Sequence, residues 1–114
     1  IVTDTVRVTA QNAPALFSSD HVVCEAFDRP EAKAELVTAL LTAHPNRFVV
    51  SASGMAGAAS ANEIVTRRAA SHLILCGDGK SGTRPGCGLM APRVMTCAGH
   101  QANAVLEILL GTIV

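Results

Sequence analysis

The sequence has no tryptophan and no tyrosine, and only three of its 114 residues are phenylalanine. That excludes the aromatic stacking platforms on which single-stranded nucleic acids are held. It also has no excess charge of either sign, because nine basic side chains balance nine acidic ones. Neither nucleic acid nor an anionic membrane surface is expected as a partner. No uninterrupted apolar run is long enough for a membrane span. The most apolar stretch, 89–114, is broken by Arg93, His100, Gln101, Asn103 and Glu107, and charges in hydrocarbon are expensive. Four cysteines occur without paired C-x-x-C knuckles or a dense framework, which points to a reducing, cytoplasmic setting.

What is present suits one globular domain. Hydrophobic residues make up 49% and charged residues 16%, outside the range of disordered chains. The chain begins at Ile1 inside an apolar run, as a piece of a longer protein would.

Strand and helix patterns alternate along it. Residues 5–10 (TVRVTA) alternate and are rich in β-branched side chains, so they predict a strand. Asn12 is placed to cap a short helix through Ser18. Residues 21–27 predict a buried strand. Pro30 to Ala43 places Ala32, Leu36, Val37, Leu40 and Leu41 on one helical face, and Pro45 marks its end. Residues 47–52 predict another strand, followed by the small-residue loop SGMAGAASAN (53–62). Segments 63–68 and 72–76 read as strands, with Arg67 and Arg68 straddling the two faces of an edge. The loop GDGKSGTRPGCG (77–88) carries five glycines. From Pro92 to Leu110 a long helix has an apolar stripe at Val94, Ala98, Ala102, Val105, Leu106 and Leu109, and Gly111 stops it. Strand, helix, strand is a parallel crossover unit. The later strands follow one another directly, so an α/β fold with a mixed sheet is expected.

Each candidate site residue has a plain explanation beside a functional one. Asp28-Arg29-Pro30-Glu31 reads as a capping box with proline just inside the helix. Ligands of open α/β sheets bind at the carboxyl ends of the strands, and a carboxylate there can hold a magnesium ion that bridges phosphates. Glu25 sits in a run that should be buried, where a carboxylate needs a partner such as an arginine. GKS at 79–81 lacks the glycine that a Walker-type loop needs five residues before Gly79, since position 74 is isoleucine. The backbone at Gly54 and Met55 is open to close approach by a ligand. His21, Cys24, Cys97 and His100 have the residue types of a zinc site. On a strand, however, positions three apart face opposite ways, and no zinc is expected. Cys24 and Cys97 read as core residues. Cys87, in a glycine-rich loop near Lys80 and Arg84, is the candidate for a reactive thiol.

Taken together, HVVCEAFDRPEAKAELV, VVSASGMAG, CGDG and GLMAPRVMTCAGHQANAVLEILLG resemble the C-terminal half of the ThiF-like sulfur-carrier adenylyltransferases. That family includes MoeB and the ubiquitin-activating enzymes, and the match is closest to its short forms in anaerobic bacteria. The resemblance covers nearly the whole chain and implies a partial Rossmann-like three-layer fold with a long C-terminal helix. In the family a strand-end aspartate holds magnesium and the ATP phosphates, with a basic residue five positions on; those positions are Asp28 and Lys33 here. Arg29 stands where the family usually has asparagine, and Lys33 where it usually has arginine. The implied reaction activates the C-terminal Gly-Gly carboxylate of a ThiS-like carrier with ATP and Mg, in thiamin biosynthesis. Cys87 falls near the family's crossover loop, where some members carry sulfur.

The family's glycine-rich phosphate turn and triphosphate clamp belong to its N-terminal half. Residues 1–114 would therefore be the C-terminal part of such a domain, inactive alone. A half-fold leaves sheet surface uncovered, so a homo-oligomer, most simply a dimer, is expected. Two other readings stand beside this one. One is a non-catalytic domain that binds a carrier tail or partner protein. The other is a dinucleotide-binding piece, although no glycine fingerprint for that is read in these residues.

Overall fold

The computed structural model describes residues 1–113. It is an α/β domain with a four-stranded mixed sheet between helical layers. After a short helix α1 (Ala13–Leu16), the chain forms β1 (Val22–Cys24), α2 (Pro30–Ala43) and β2 (Phe48–Ala52). A 3-10 turn at Ala61–Glu63 leads into β3 (Val65–Ala70), β4 (Leu73–Gly77) and the long helix α3 (Ala91–Leu110).

The sheet order is β1-β2-β4-β3, with β1, β2 and β4 parallel and β3 antiparallel to β4. The direction of β3 follows from local sequence. Only Ser71 and His72 separate it from β4, and a two-residue connection makes a hairpin. β3 is an edge strand, exposed along its whole length. Arg67 and Arg68 do straddle its faces. Arg67 reaches over Gly79, while the Arg68 guanidinium lies 5.5 Å from the Phe48 ring centroid.

The pleat sorts the core into two layers. Val50, Ala52, Ile74 and Cys76 meet Cys97 and Ala104 of α3. On the other face Val49 meets Leu36 and Leu40 of α2, with Ala13 of α1 beside them. α2 buries the face its periodicity predicts.

Several expectations are corrected. Residues 5–10 form no strand, because no neighbouring strand lies alongside to bond their backbone. Thr9 to Asn12 close a turn instead: Thr9 N donates to Asn12 Oδ1 (2.7 Å) and Asn12 N to Thr9 Oγ1 (3.3 Å). Asn12 stands at the N-cap position of α1 but spends its side chain upstream, and α1 ends at Leu16. The buried strand expected over 21–27 keeps only Val22–Cys24 in regular pairing, and Cys24 is exposed rather than in the core. Ala61–Glu63 is a 3-10 turn, so β3 starts later than expected.

The largest correction concerns α3. Its buried positions are Arg93, Cys97, Gln101 and Ala104. Of the predicted stripe, Val94 and Val105 are half-buried, while Ala98, Ala102, Leu106 and Leu109 are exposed. The core face carries an arginine and a glutamine, whose partners are distant in sequence, so periodicity alone selected the wrong side. The stop at Gly111 is as expected. It takes φ +71°, and Thr112 N donates to the Glu107 carbonyl at 2.8 Å.

Candidate functional site

The carboxyl ends of β1, β2 and β4 converge on one side of the sheet. The loops leaving β2 and β4 pack backbone to backbone: Asp78 N donates to the Gly54 carbonyl (2.8 Å) and Gly79 N to the Ser53 carbonyl (2.9 Å). Only glycine permits this at two positions. A Cβ on Gly77 would lie 2.0 Å from the Ser53 oxygen, and one on Gly54 2.0 Å from Asp78 Oδ1, with φ of +134° and +86° respectively.

Over these loops lies a cleft of about 280 Å3 that brings Asp28, Lys33, Gly54 and Met55 together with Phe27 and Lys80. Four residues singled out in the sequence therefore share one cavity, at the place where α/β folds bind ligands.

Asp28 is exposed at the lip of this cleft, and among the described residues its carboxylate forms no hydrogen bond or ion pair with another side chain. It does not cap α2. Pro30 occupies the first helical position and holds Arg29 extended (φ −98°, ψ 127°), which makes Arg29 the N-cap residue. No side-chain cap bond forms there, and Glu31 lies 3.9 Å from Arg29 in an exposed pair. The expected capping box does not form, and Asp28 is left unengaged.

Glu25 is 2% exposed and fully satisfied. Its partner is Lys33, not an arginine: Lys33 Nζ stands 3.0 Å from Oε1 and 3.3 Å from Oε2. The Ser51 hydroxyl and the Phe27 amide also donate to this carboxylate. Gln101 Nε2 of α3 donates to the Glu25 carbonyl at 3.0 Å. Glu25 is thus not among the residues that line the cleft, and it acts there only by holding Lys33 in position.

A second buried ion pair went unread in the sequence. Asp78 Oδ2 lies 2.6 Å from Nη2 of Arg93, with both side chains almost wholly buried. Residues 77–82 also spell G-x-G-x-x-G directly after β4, contrary to the expectation that no such fingerprint occurs. In this chain the motif does not open a helix, since α3 begins only at Ala91. The amides that would cradle a pyrophosphate are taken by the chain's own carboxylate. Lys80 N and Ser81 N donate to Asp78 Oδ1 at 2.9 and 2.8 Å, and Ser81 Oγ donates to Oδ2 at 2.5 Å. Burial alone would raise the Asp78 pKa. The bonds from Ser81, the Lys80 amide and Arg93 outweigh it and hold the carboxyl well below the usual range.

Cys87 lies in an adjoining cleft of about 450 Å3 together with Lys80, Ser81 and Arg84. It closes a tight turn: its N–H donates to the Arg84 carbonyl (2.8 Å), with Gly86 at φ +78°. The Lys80 ammonium is held by Glu63 at 3.0 Å. Cys76 and Cys97 are buried, and burial pushes their thiol pKa values up. Desolvation, with Cys76 and Glu25 nearby, does the same for Cys24. Among the described residues no three histidine, cysteine or acidic side chains are grouped to hold a metal, and no helix is long and apolar enough to cross a membrane. Asp28 could supply one hard oxygen ligand. That fits magnesium, which commonly takes one or two carboxylates and completes its shell with water and phosphate oxygens.

No protein-family model, curated protein or solved structure matches this chain.

Proposed function

We propose that the cleft at the strand ends is the magnesium-phosphate side of a nucleotide site. The chain would then be the C-terminal part of a ThiF-like adenylyltransferase that activates the Gly-Gly terminus of a ThiS-like sulfur carrier. The observation that carries this reading is the exposed, unengaged carboxylate of Asp28 beside Lys33, Gly54 and Met55 in one cleft. In this reading Asp28 would hold a magnesium ion, which would neutralise phosphate charge at the strand ends. Lys33, fixed by Glu25, adds positive charge beside them, and Phe27 and Met55 offer apolar contact.

The test is NMR titration of the chain with MgATP. The expected result is shifts centred on Asp28, Lys33, Gly54 and Met55 that require magnesium and vanish in Asp28→Asn. Shifts elsewhere, or none at millimolar nucleotide, would remove the reading.

One observation favours a non-catalytic alternative. Both lysines of the cleft are already bound to carboxylates, Lys33 to Glu25 and Lys80 to Glu63. A module that binds a carrier's tail or another protein without nucleotide needs no free cation. Binding of a Gly-Gly-terminated peptide in the absence of ATP would support it. A dinucleotide site at 77–82 is disfavoured, because Asp78 fills the turn.

A further inference from the structure

We infer that Lys80 is the exchangeable cation of the cleft, which leaves Glu63 for the phosphates of an entering nucleotide. The identity of the ligand rests on the nucleotide reading above. The exchange itself rests on how the two lysines that line the cleft are held. Lys33 is 20% exposed and its partner Glu25 is wholly buried. Drawing Lys33 away would strand a buried anion, which is costly. Lys80 pairs with Glu63 at 3.0 Å, but there the side chains are 72% and 40% exposed. Water solvates both partners when such a pair opens, and an exposed pair contributes little to stability. Of the two lysines, Lys80 is therefore the one that can change partner at small cost.

The backbone on both sides of this pair is fixed. Lys80 N donates to Asp78 Oδ1 at 2.9 Å, and the Asp78 carboxylate is tied to Arg93 in the interior. Glu63 ends the turn Ala61–Glu63, and Ile64, directly after it, is buried in the core between the sheet and α3. The root of each side chain thus stays in place, while the four-carbon stem of lysine is flexible and carries a compact charge. Lys80, with Ala56 and Ser81, lines both the nucleotide cleft and the adjoining one that holds Cys87. From that position its ammonium can turn to a ligand without any movement of the main chain.

Charge decides the direction of the exchange. Glu63 offers Lys80 a single negative charge, whereas a polyphosphate brings several, and lysine binds phosphate as a point charge. A monoanion gains nothing over Glu63. Glu63 therefore acts as a built-in competitor that weak anions do not displace and polyphosphates do, so that selection comes from a repelling group as well as an attracting one. The exchange adds binding and not chemistry, because one swinging ammonium is not the preorganised charge that transfer requires.

NMR titration of the whole chain tests it, with MgATP, with inorganic tripolyphosphate plus magnesium, and with acetate, on the wild type, Glu63→Gln, Lys80→Met and the double variant. Both side chains are exposed, so all four proteins are expected to share one circular dichroism spectrum. Glu63→Gln is expected to bind MgATP and tripolyphosphate about fivefold more tightly, the most that freeing an exposed pair allows. Lys80→Met is expected to bind both about fivefold more weakly than Glu63→Gln or worse, and adding Glu63→Gln to it to recover less than about twofold. Acetate is expected to leave the wild-type signals of Lys80 and Glu63 unmoved. Shifts centred on Asp28 that are indifferent to both substitutions would overturn this inference and leave the nucleotide reading standing. So would a gain from Glu63→Gln that persists without Lys80, or acetate shifts equal to those of tripolyphosphate. No shift in any of the four proteins at millimolar MgATP would overturn both.

Discussion

Lys33, which lines the cleft, forms a two-point ion pair with buried Glu25, its ammonium 3.0 and 3.3 Å from the two carboxylate oxygens. The lysine is the third residue after the proline that starts α2, and the glutamate directly follows β1. The pair therefore fixes the helix to the strand end that supplies Asp28.

Removing the cation strands a buried anion. Lys33→Met leaves Glu25 with only the Ser51 hydroxyl and the Phe27 amide as donors. Breaking a buried pair from one side costs about 3 kcal/mol. Urea unfolding is expected to show a loss of that order for Lys33→Met and a clearly smaller one for the double change with Glu25→Gln. Equal losses would mean that the pair is not the reason for the effect.

The Asp78 knot gives stability a defined dependence on pH. The folded-state pKa of Asp78 lies below the ordinary carboxylate value, so its contribution is present above about pH 4 and disappears as acid protonates it. Ser81→Ala removes one donor to that charge, worth about 1.5 kcal/mol at neutral pH. The difference between wild type and variant is expected to hold from neutrality down to acid pH and to shrink only well below about pH 4, where the folded-state carboxyl takes up its proton. A difference that grows in acid would contradict the assignment of charge to Asp78.

Gly54 tests the packing of the two loops. A methyl group there would meet Asp78 Oδ1 at 2.0 Å on a backbone with φ +86°. Gly54→Ala is expected to lower stability by about 2 kcal/mol or more. It should also disturb the amide signals of Lys80 and Ser81, which depend on the position of that carboxylate. Unchanged Lys80 and Ser81 signals would show that the loops are not coupled.

How far the sequence discloses all this depends on the range over which each residue acts. α2 was legible because its pattern and its burial coincide at Leu36 and Leu40. The β3–β4 hairpin was legible because its turn is local. Residues 5–10 show the limit of such patterns, since a β-branched alternation makes a strand only when a neighbour offers backbone partners. Asp78 and Arg93 were not read as a pair because 15 residues separate them and each looks ordinary alone. The available signal was the G-x-G-x-x-G spacing at 77–82, with a carboxylate inside it. Asp28 reads in the sequence as the acid at the end of a strand over 21–27, but β1 ends at Cys24 and Asp28 lies in the connection to α2. That it does not cap the helix follows from Pro30, which as the first helical residue makes Arg29 the N-cap.

Thiol reactivity separates the four cysteines. Cys24 is exposed and Cys87 half-exposed, whereas Cys76 and Cys97 are buried with pKa values pushed up by burial. Only the thiolate reacts. A disulfide reagent at neutral pH is expected to titrate two thiols in the native chain and four in urea. Native reaction of all four at one rate would mean that the layer between the sheet and α3 opens readily.

Adenylation by this chain alone is not expected. Forming an acyl-adenylate and pyrophosphate requires the growing charge on the phosphates to be neutralised by fixed groups. In the cleft the lysines already serve Glu25 and Glu63, and the amides of Lys80 and Ser81 already serve Asp78. One carboxylate, even with a magnesium ion bound to it, would neutralise only part of that charge. With MgATP and a Gly-Gly-terminated carrier, ATP–pyrophosphate exchange is expected to equal the protein-free control, even where MgATP binding at Asp28 is measurable. Exchange above that control, lost in Asp28→Asn, would show that the described cleft holds enough positive charge for the reaction.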